Sequence, residues 1–163
     1  MRISVEFDDS QLQKALSGLL AMGQDLNPVL DDVAAHVEMT TKERFDTGLA
    51  PSGLPWEISR RAAAEGGKTL LDHGHLRDSV QRAPANGHEV VIGSNLIYAA
   101  IHQTGGVIRA KNGGKLVFKT PFGFAMLDQV TIPARPYFGL SEEDTQVIPE
   151  IVLEHYQEAA DGR

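Results

Sequence analysis

With 163 residues, the chain has the size of one domain and can bury roughly 70% of its unfolded surface. It contains no cysteine and no apolar run near 18 residues, which excludes a disulfide framework, thiol chemistry and a transmembrane helix. A net charge of −7 argues against a general nucleic-acid binder, and the charge is segregated: residues 1–50 hold nine acids and four bases, 51–135 six and ten, and 136–163 seven and one. A basic middle between acidic ends suits charge complementarity between copies of one protein; it equally suits a solvated surface.

The opening MRISVEFDDS lacks the apolar region of a signal peptide. Arg2–Phe7 alternates like a strand, with Ile3, Val5 and Phe7 on one face. Ser10 and Gln13 form a capping box, and Leu12, Ala15, Leu16, Leu19 and Leu20 make a helical stripe that Gly23 stops. Asn27 and Pro28 start a second helix, whose stripe from Leu30 through Val33, Val37 and Thr41 to Phe45 ends at Gly48. The two read as a helical hairpin packed against a sheet.

Ala50–Trp56 is a loop with two prolines and the only tryptophan. Trp56 either covers the edge of the core or meets a partner. Ile58–Lys68 reads as a short helix and a loop, and Leu70, Leu71, Leu76 and Val80 as a second small apolar cluster around a short helix. His88–Gly93 reads as a buried strand, Asn95–Gln103 as a helical turn and Val107–Ala110 as a short strand. Lys115–Lys119 and Phe124–Ile132 make a hairpin around Thr120-Pro121-Phe122-Gly123, which has a type I turn signature. Phe122, Phe124 and Met126 then sit near an exposed tip. Either they fold back or they meet another chain, and a bare hairpin edge favours the second.

In Thr131–Asp144, Pro133 and Pro136 hold the chain extended, Tyr137, Phe138 and Leu140 follow, and Ser141 caps an acidic helix start. Such a corner sets the angle between a strand and a helix. Pro149 either kinks that helix or restarts it, and Glu158–Arg163 frays. The order gives a single α+β domain over residues 1–163: an N-terminal helical hairpin packed on a mostly antiparallel sheet, with a protruding β-hairpin, a C-terminal helix and a frayed tail at 159–163.

Chemistry is thinly represented. Asp72, His73 and His75, with His102 further on, are the best metal-ligand candidates, but His-x-His is a loose pattern. No spacing pairs Glu57, Glu65 or Asp72 as an acid and a base, and Ser79 and Ser94 lack a nucleophile elbow. The glycine pairs do not match a phosphate loop. Arg109, Lys111, Lys115 and Lys119 suit either phosphate contacts or the acidic helix of a neighbour. His102–Gly106 is either a subunit contact or an internally bonded turn.

RF at Arg44–Phe45, PSGLPW at Pro51–Trp56, TLLDHGHLRDSV at Thr69–Val80, IGSNLIYAAIHQTGG at Ile92–Gly106 and IPARP at Ile132–Pro136 occur in a distinctive spaced order. Together they resemble the phage virion morphogenesis (tail completion) family of Mu-like and related tailed phages. One departure is His73-Gly74, where the family has Thr-Gly. The resemblance implies a structural virion protein at the head–tail junction or tail end, assembled in the host bacterial cytoplasm and not an enzyme. It implies a homo-oligomeric ring, hexameric by analogy, with other neck or tail proteins as partners, DNA passing transiently through the lumen, and no membrane, metal or cofactor. The candidate subunit or partner contacts are Phe122, Phe124, Met126, Tyr98, His102, Trp56, Arg135, Tyr137 and Phe138. The alternatives are a head-side capsid morphogenesis factor not retained in the particle, and a metal-dependent hydrolase using Asp72, His73 and His75.

Overall fold

The computed structural model describes residues 10–87, 89–120 and 123–162. The expected strand at Arg2–Phe7 and the candidate contact Phe122 lie outside those residues. Helix α1 (Ser10–Ala21) starts at Ser10, and Gly23 ends it with a φ of 72°. Helix α2 (Asn27–Thr47) has Pro28 in its first turn and ends on Gly48, whose N–H donates to Arg44 O over 2.8 Å. Helix α6 (Glu142–Ala160) carries the expected cap at Ser141.

The helices depart from a hairpin lying on a sheet. Both α1 and α2 pack on α6, and Leu12, Ala15, Leu19, Val29 and Val152 form a shared apolar core. Gly18 allows the close approach of α1 and α6, because a Cβ there would lie 2.5 Å from the Tyr156 ring. Helix α6 also runs unbroken through Pro149. A mid-helix proline costs about 3 kcal/mol; buried Ile148 and Val152 on either side, at roughly 1.5–3 kcal/mol each, offset it. The expected fraying from Glu158 is overridden through Ala160, since Ala159 packs on the same core.

The second core surrounds the C-terminal half of α2. It comprises Phe45, Trp56, Leu76, Val80, Ala99 and Tyr137. Leu76 and Val80 belong to this second core, with Leu70 and Leu71 packed against it, and it is larger than the small cluster expected because Phe45, Trp56 and Tyr137 join it. Leu76 arrives on α4 (His75–Asp78) and Val80 just after it, following α3 (Arg60–Glu65) and ahead of α5 (Ala99–Thr104). Phe45 is its centre, with ring centroids 5.7 Å from Trp56 and 5.1 Å from Tyr137.

The α+β class holds, with the strands among the described residues divided into three antiparallel ribbons in place of one sheet. β1 (Gln81–Arg82) pairs with β2 (Ile92–Gly93); residues 90 and 91 are not strand, and Val91 is exposed, unlike the expected buried strand. β3 (Gly106–Arg109) pairs with β6 (Gln129–Ile132), and β4 (Leu116–Thr120) with β5 (Gly123–Leu127). The expected return strand Phe124–Ile132 is thus split at Asp128. Five residues of β5 use up the five of β4; Ala110 N–H then donates to Asp128 O over 2.9 Å and passes the chain to β3. Residues 106–132 form one two-ribbon arm, and neither ribbon packs extensively on a helix.

Candidate functional site

The root of the arm is held by a dense polar clamp. Gln103, at the end of α5, accepts from the N–H groups of Tyr137 and Phe138 at 2.9 and 3.0 Å and donates to Phe138 O at 3.0 Å. Tyr137 donates its hydroxyl to Ala99 O at 2.9 Å, and burial pushes its pKa up to about 12. Arg135 N–H donates to His102 O at 2.7 Å, Arg135 Nε to Glu57 O at 2.8 Å, and Trp56 Nε1 to Pro136 O at 2.8 Å. The corner at 135–139 is therefore tied to α5 and to the Pro51–Trp56 loop by side chains that complete backbone hydrogen bonds.

Beneath the corner lies a buried ion pair. Arg44 Nη2 donates to Asp144 Oδ2 at 2.6 Å, while Nη1 donates to Tyr137 O and Gly139 O, each at 2.9 Å. Ser141 N–H and Oγ also donate to Asp144 Oδ2, and Asp144 N–H donates to Ser141 Oγ, completing a capping box. His36 Nε2 stands 3.0 Å from Asp144 Oδ1, out of hydrogen-bond alignment. Burial alone raises the Asp144 pKa, but hydrogen bonds from Ser141 and Thr40 and the Arg44 charge outweigh it, leaving the carboxyl below its usual value. Burial likewise lowers Arg44, against the countering charge of Asp144. A carboxyl depressed in the fold stabilises above the pKa it has when unfolded and loses that contribution as pH falls through the folded value. Stability should therefore drop between roughly pH 4 and the folded pKa. Asp144→Asn should flatten that slope in acid titrations followed by circular dichroism.

Gly105 fixes the direction in which the arm leaves. Its φ of 69° and ψ of 178° suit glycine, and a Cβ would lie 2.7 Å from Ala134 N. Gly105→Ala should cost more than about 2 kcal/mol in thermal or urea unfolding, combining strain with backbone overlap. Gly113→Ala, with a φ of 69° but open space around it, should cost about 1 kcal/mol.

The arm itself is apolar and bare. Val117 lies opposite Met126, and Phe124 is the next inward-outward equivalent of Met126, so all three share one face. They are 58%, 63% and 78% exposed. The other face carries Leu116 opposite Leu127 and Phe118 opposite Ala125. Nearer the root, Val107 and Ile108 are also exposed. Among the described residues, apolar side chains are thus exposed on both faces of the arm.

The structure separates the sequence-based candidates. Phe124 and Met126 stand on the open arm. Tyr98 is 40% exposed, and its ring meets His102 edge-on at 6.1 Å. His102 is half-buried; burial and then the Arg135 charge lower its pKa. Phe138 is half-buried against the core. Trp56, Arg135 and Tyr137 are corrected from contacts to internal supports, because each is nearly fully enclosed and hydrogen-bonded within the chain.

Asp72, His73, His75 and His102 line one open groove of about 340 Å³, together with Arg61 and Arg135. Asp72 lies 3.0 Å from His73 Nδ1, and the His73 and His75 rings stack at 5.9 Å. Among the described residues, no three His, Asp or Glu side chains are arranged to hold a metal ion. Ser79 and Ser94 hydrogen-bond each other at 2.7 Å. No helix among the described residues is long and apolar enough to cross a membrane.

A model of the phage virion morphogenesis family matches residues 7–157. The chain belongs to that family. It is also 28% identical over 156 residues to Mu-like prophage FluMu G protein 2 of Haemophilus influenzae, an alignment covering 95% of this chain and 96% of that protein. No solved structure matches. Membership of the virion morphogenesis family places the chain in phage virion assembly. The sequence blocks that carried the resemblance meet around the arm's root: Arg44 and Phe45, Trp56, Leu76, Ala99 and Gln103, and Arg135. At the departure His73-Gly74, the glycine adopts a φ of 82° and opens α4, the space for its Cβ being limited by Asp78 Oδ2 at 3.0 Å. The Asp144 partner of Arg44 and the Gln103 clamp went unread in the sequence. Their signals are the three-residue spacing from Ser141 and the lone glutamine before Thr104-Gly105-Gly106.

Proposed function

We propose that this virion assembly protein forms a homo-oligomeric ring at the tail end or head–tail junction, in a tail completion or connector role. The observation that carries the reading is the arm: apolar on both faces, uncovered, and rigidly rooted. Its contact is with a neighbouring copy, a heterologous interface that closes a ring by rotation. Family analogy favours six copies, with other neck or tail proteins above and below. The work is static recognition, with no reaction catalysed. The net charge of −7 suits a lumen through which DNA passes without being held. Mass spectrometry of purified particles, with antibody labelling in the electron microscope, tests the placement. The protein should be present at the tail end or neck. Its absence from finished particles would favour a head-side morphogenesis factor.

A further inference from the structure

The arm holds four bases and one acid between residues 106 and 132. Arg109 and Lys111 are exposed, while Lys115 is held by Asp128 at 2.6 Å. Helix α6 has the opposite character, with six acids and no lysine or arginine. At about 100° per residue, Glu143, Glu150 and Glu154 fall on one narrow stripe, opposite buried Ile148 and Val152. All three acids are exposed. At the start of this stripe, Pro51, Ser52, Gly53, Leu140, Glu142 and Glu143 line a groove of about 600 Å³. Leu54, next in the chain, is 67% exposed.

The lengths are commensurate. From Phe124 to Gln129, the partner of Arg109, the chain reaches at most about 17 Å across the bend at Asp128. From Glu143 to Glu154 the helix covers about 17 Å. We propose that the arm of one copy lies along α6 of the next. Its apolar tip, Phe124 and Met126, enters the groove beside Leu54, and its basic waist, Arg109 and Lys111, meets Glu150 and Glu154. The inference rests on the arm-mediated ring proposed above and names the surface that receives the arm. An acidic stripe repels phosphate, so the fitting occupant is a basic protein segment, and every copy supplies one.

Charge reversal on each side tests it. Arg109→Glu/Lys111→Glu and Glu150→Lys/Glu154→Lys alter exposed side chains, so each should keep the wild-type circular dichroism and melting curve. Each alone should weaken self-association by on the order of tenfold or more in sedimentation velocity. An equimolar mixture of the two variants should assemble again, because each arm then faces a helix of opposite charge. If both variants assemble like the wild type while Phe124→Asp does not, the α6 docking is wrong and the arm-mediated ring stands. If Phe124→Asp also assembles normally, the arm reading fails with it.

Discussion

Asp144→Ala is expected to destabilise the fold by about 3–5 kcal/mol, far more than the roughly 1 kcal/mol of an ordinary lost cap. The Asp144 side chain is fully enclosed, and its removal strands the Arg44 guanidinium, only 7% exposed, without a counter-charge. It also ends the Ser141 capping box at the start of α6. Against a domain stability of about 5–15 kcal/mol, the loss is a large fraction. Arg44→Met should be comparably damaging, because the carbonyls of Tyr137 and Gly139 lose their shared donor. The double variant Arg44→Met/Asp144→Leu should recover part of the loss by removing both charges, but not the two orphaned carbonyls. Urea unfolding of the three variants checks the ordering; equal stabilities for Asp144→Ala and wild type would show that the ion pair does not hold the corner.

Phe124→Asp is expected to have the opposite profile, with little effect on the fold and a large effect on assembly. Phe124 is 78% exposed, so the folded chain gives up little packing when it is replaced. At an interface the same ring would bury most of its surface, contributing roughly 1.5–3 kcal/mol, and an aspartate there would be desolvated without a partner. The melting temperature should shift by no more than a degree or two, while the oligomer dissociates at concentrations where the wild type is assembled. Met126→Asp, on the same face, should act in the same direction. A variant that unfolds would instead place Phe124 in the protein's own packing.

Much of the fold was legible in the chain because local chemistry decided it. The stripes of α1 and α2, apart from Leu20, which is exposed, the stops at Gly23 and Gly48 and the Ser141 cap each depend on residues within a turn or two. What escaped depends on long-range contacts. The continuity of α6 through Pro149 is set by the burial of Ile148 and Val152 against other helices, which outweighs a local penalty. The split of the return strand follows from the length of β4 and the switch of partner at Asp128, which strand periodicity does not encode. Trp56, Arg135 and Tyr137 illustrate the same limit at the site. Aromatic and arginine side chains serve equally well as interface anchors and as core supports, and only the bonds to Pro136 O, Glu57 O and Ala99 O assign these three to the interior. Phe124 and Met126 were legible as surface because a short turn leaves a hairpin tip nowhere to bury them.

In the proposed ring, this chain works as a shape that engages further copies of itself through the arm. Negative-stain microscopy of the purified wild-type protein, alongside sedimentation over a wide concentration range, tests it most directly. Closed rings of uniform diameter and a single discrete oligomer are expected. A monomer that persists at the highest concentrations, alone and with its tail or neck neighbours added, would contradict it.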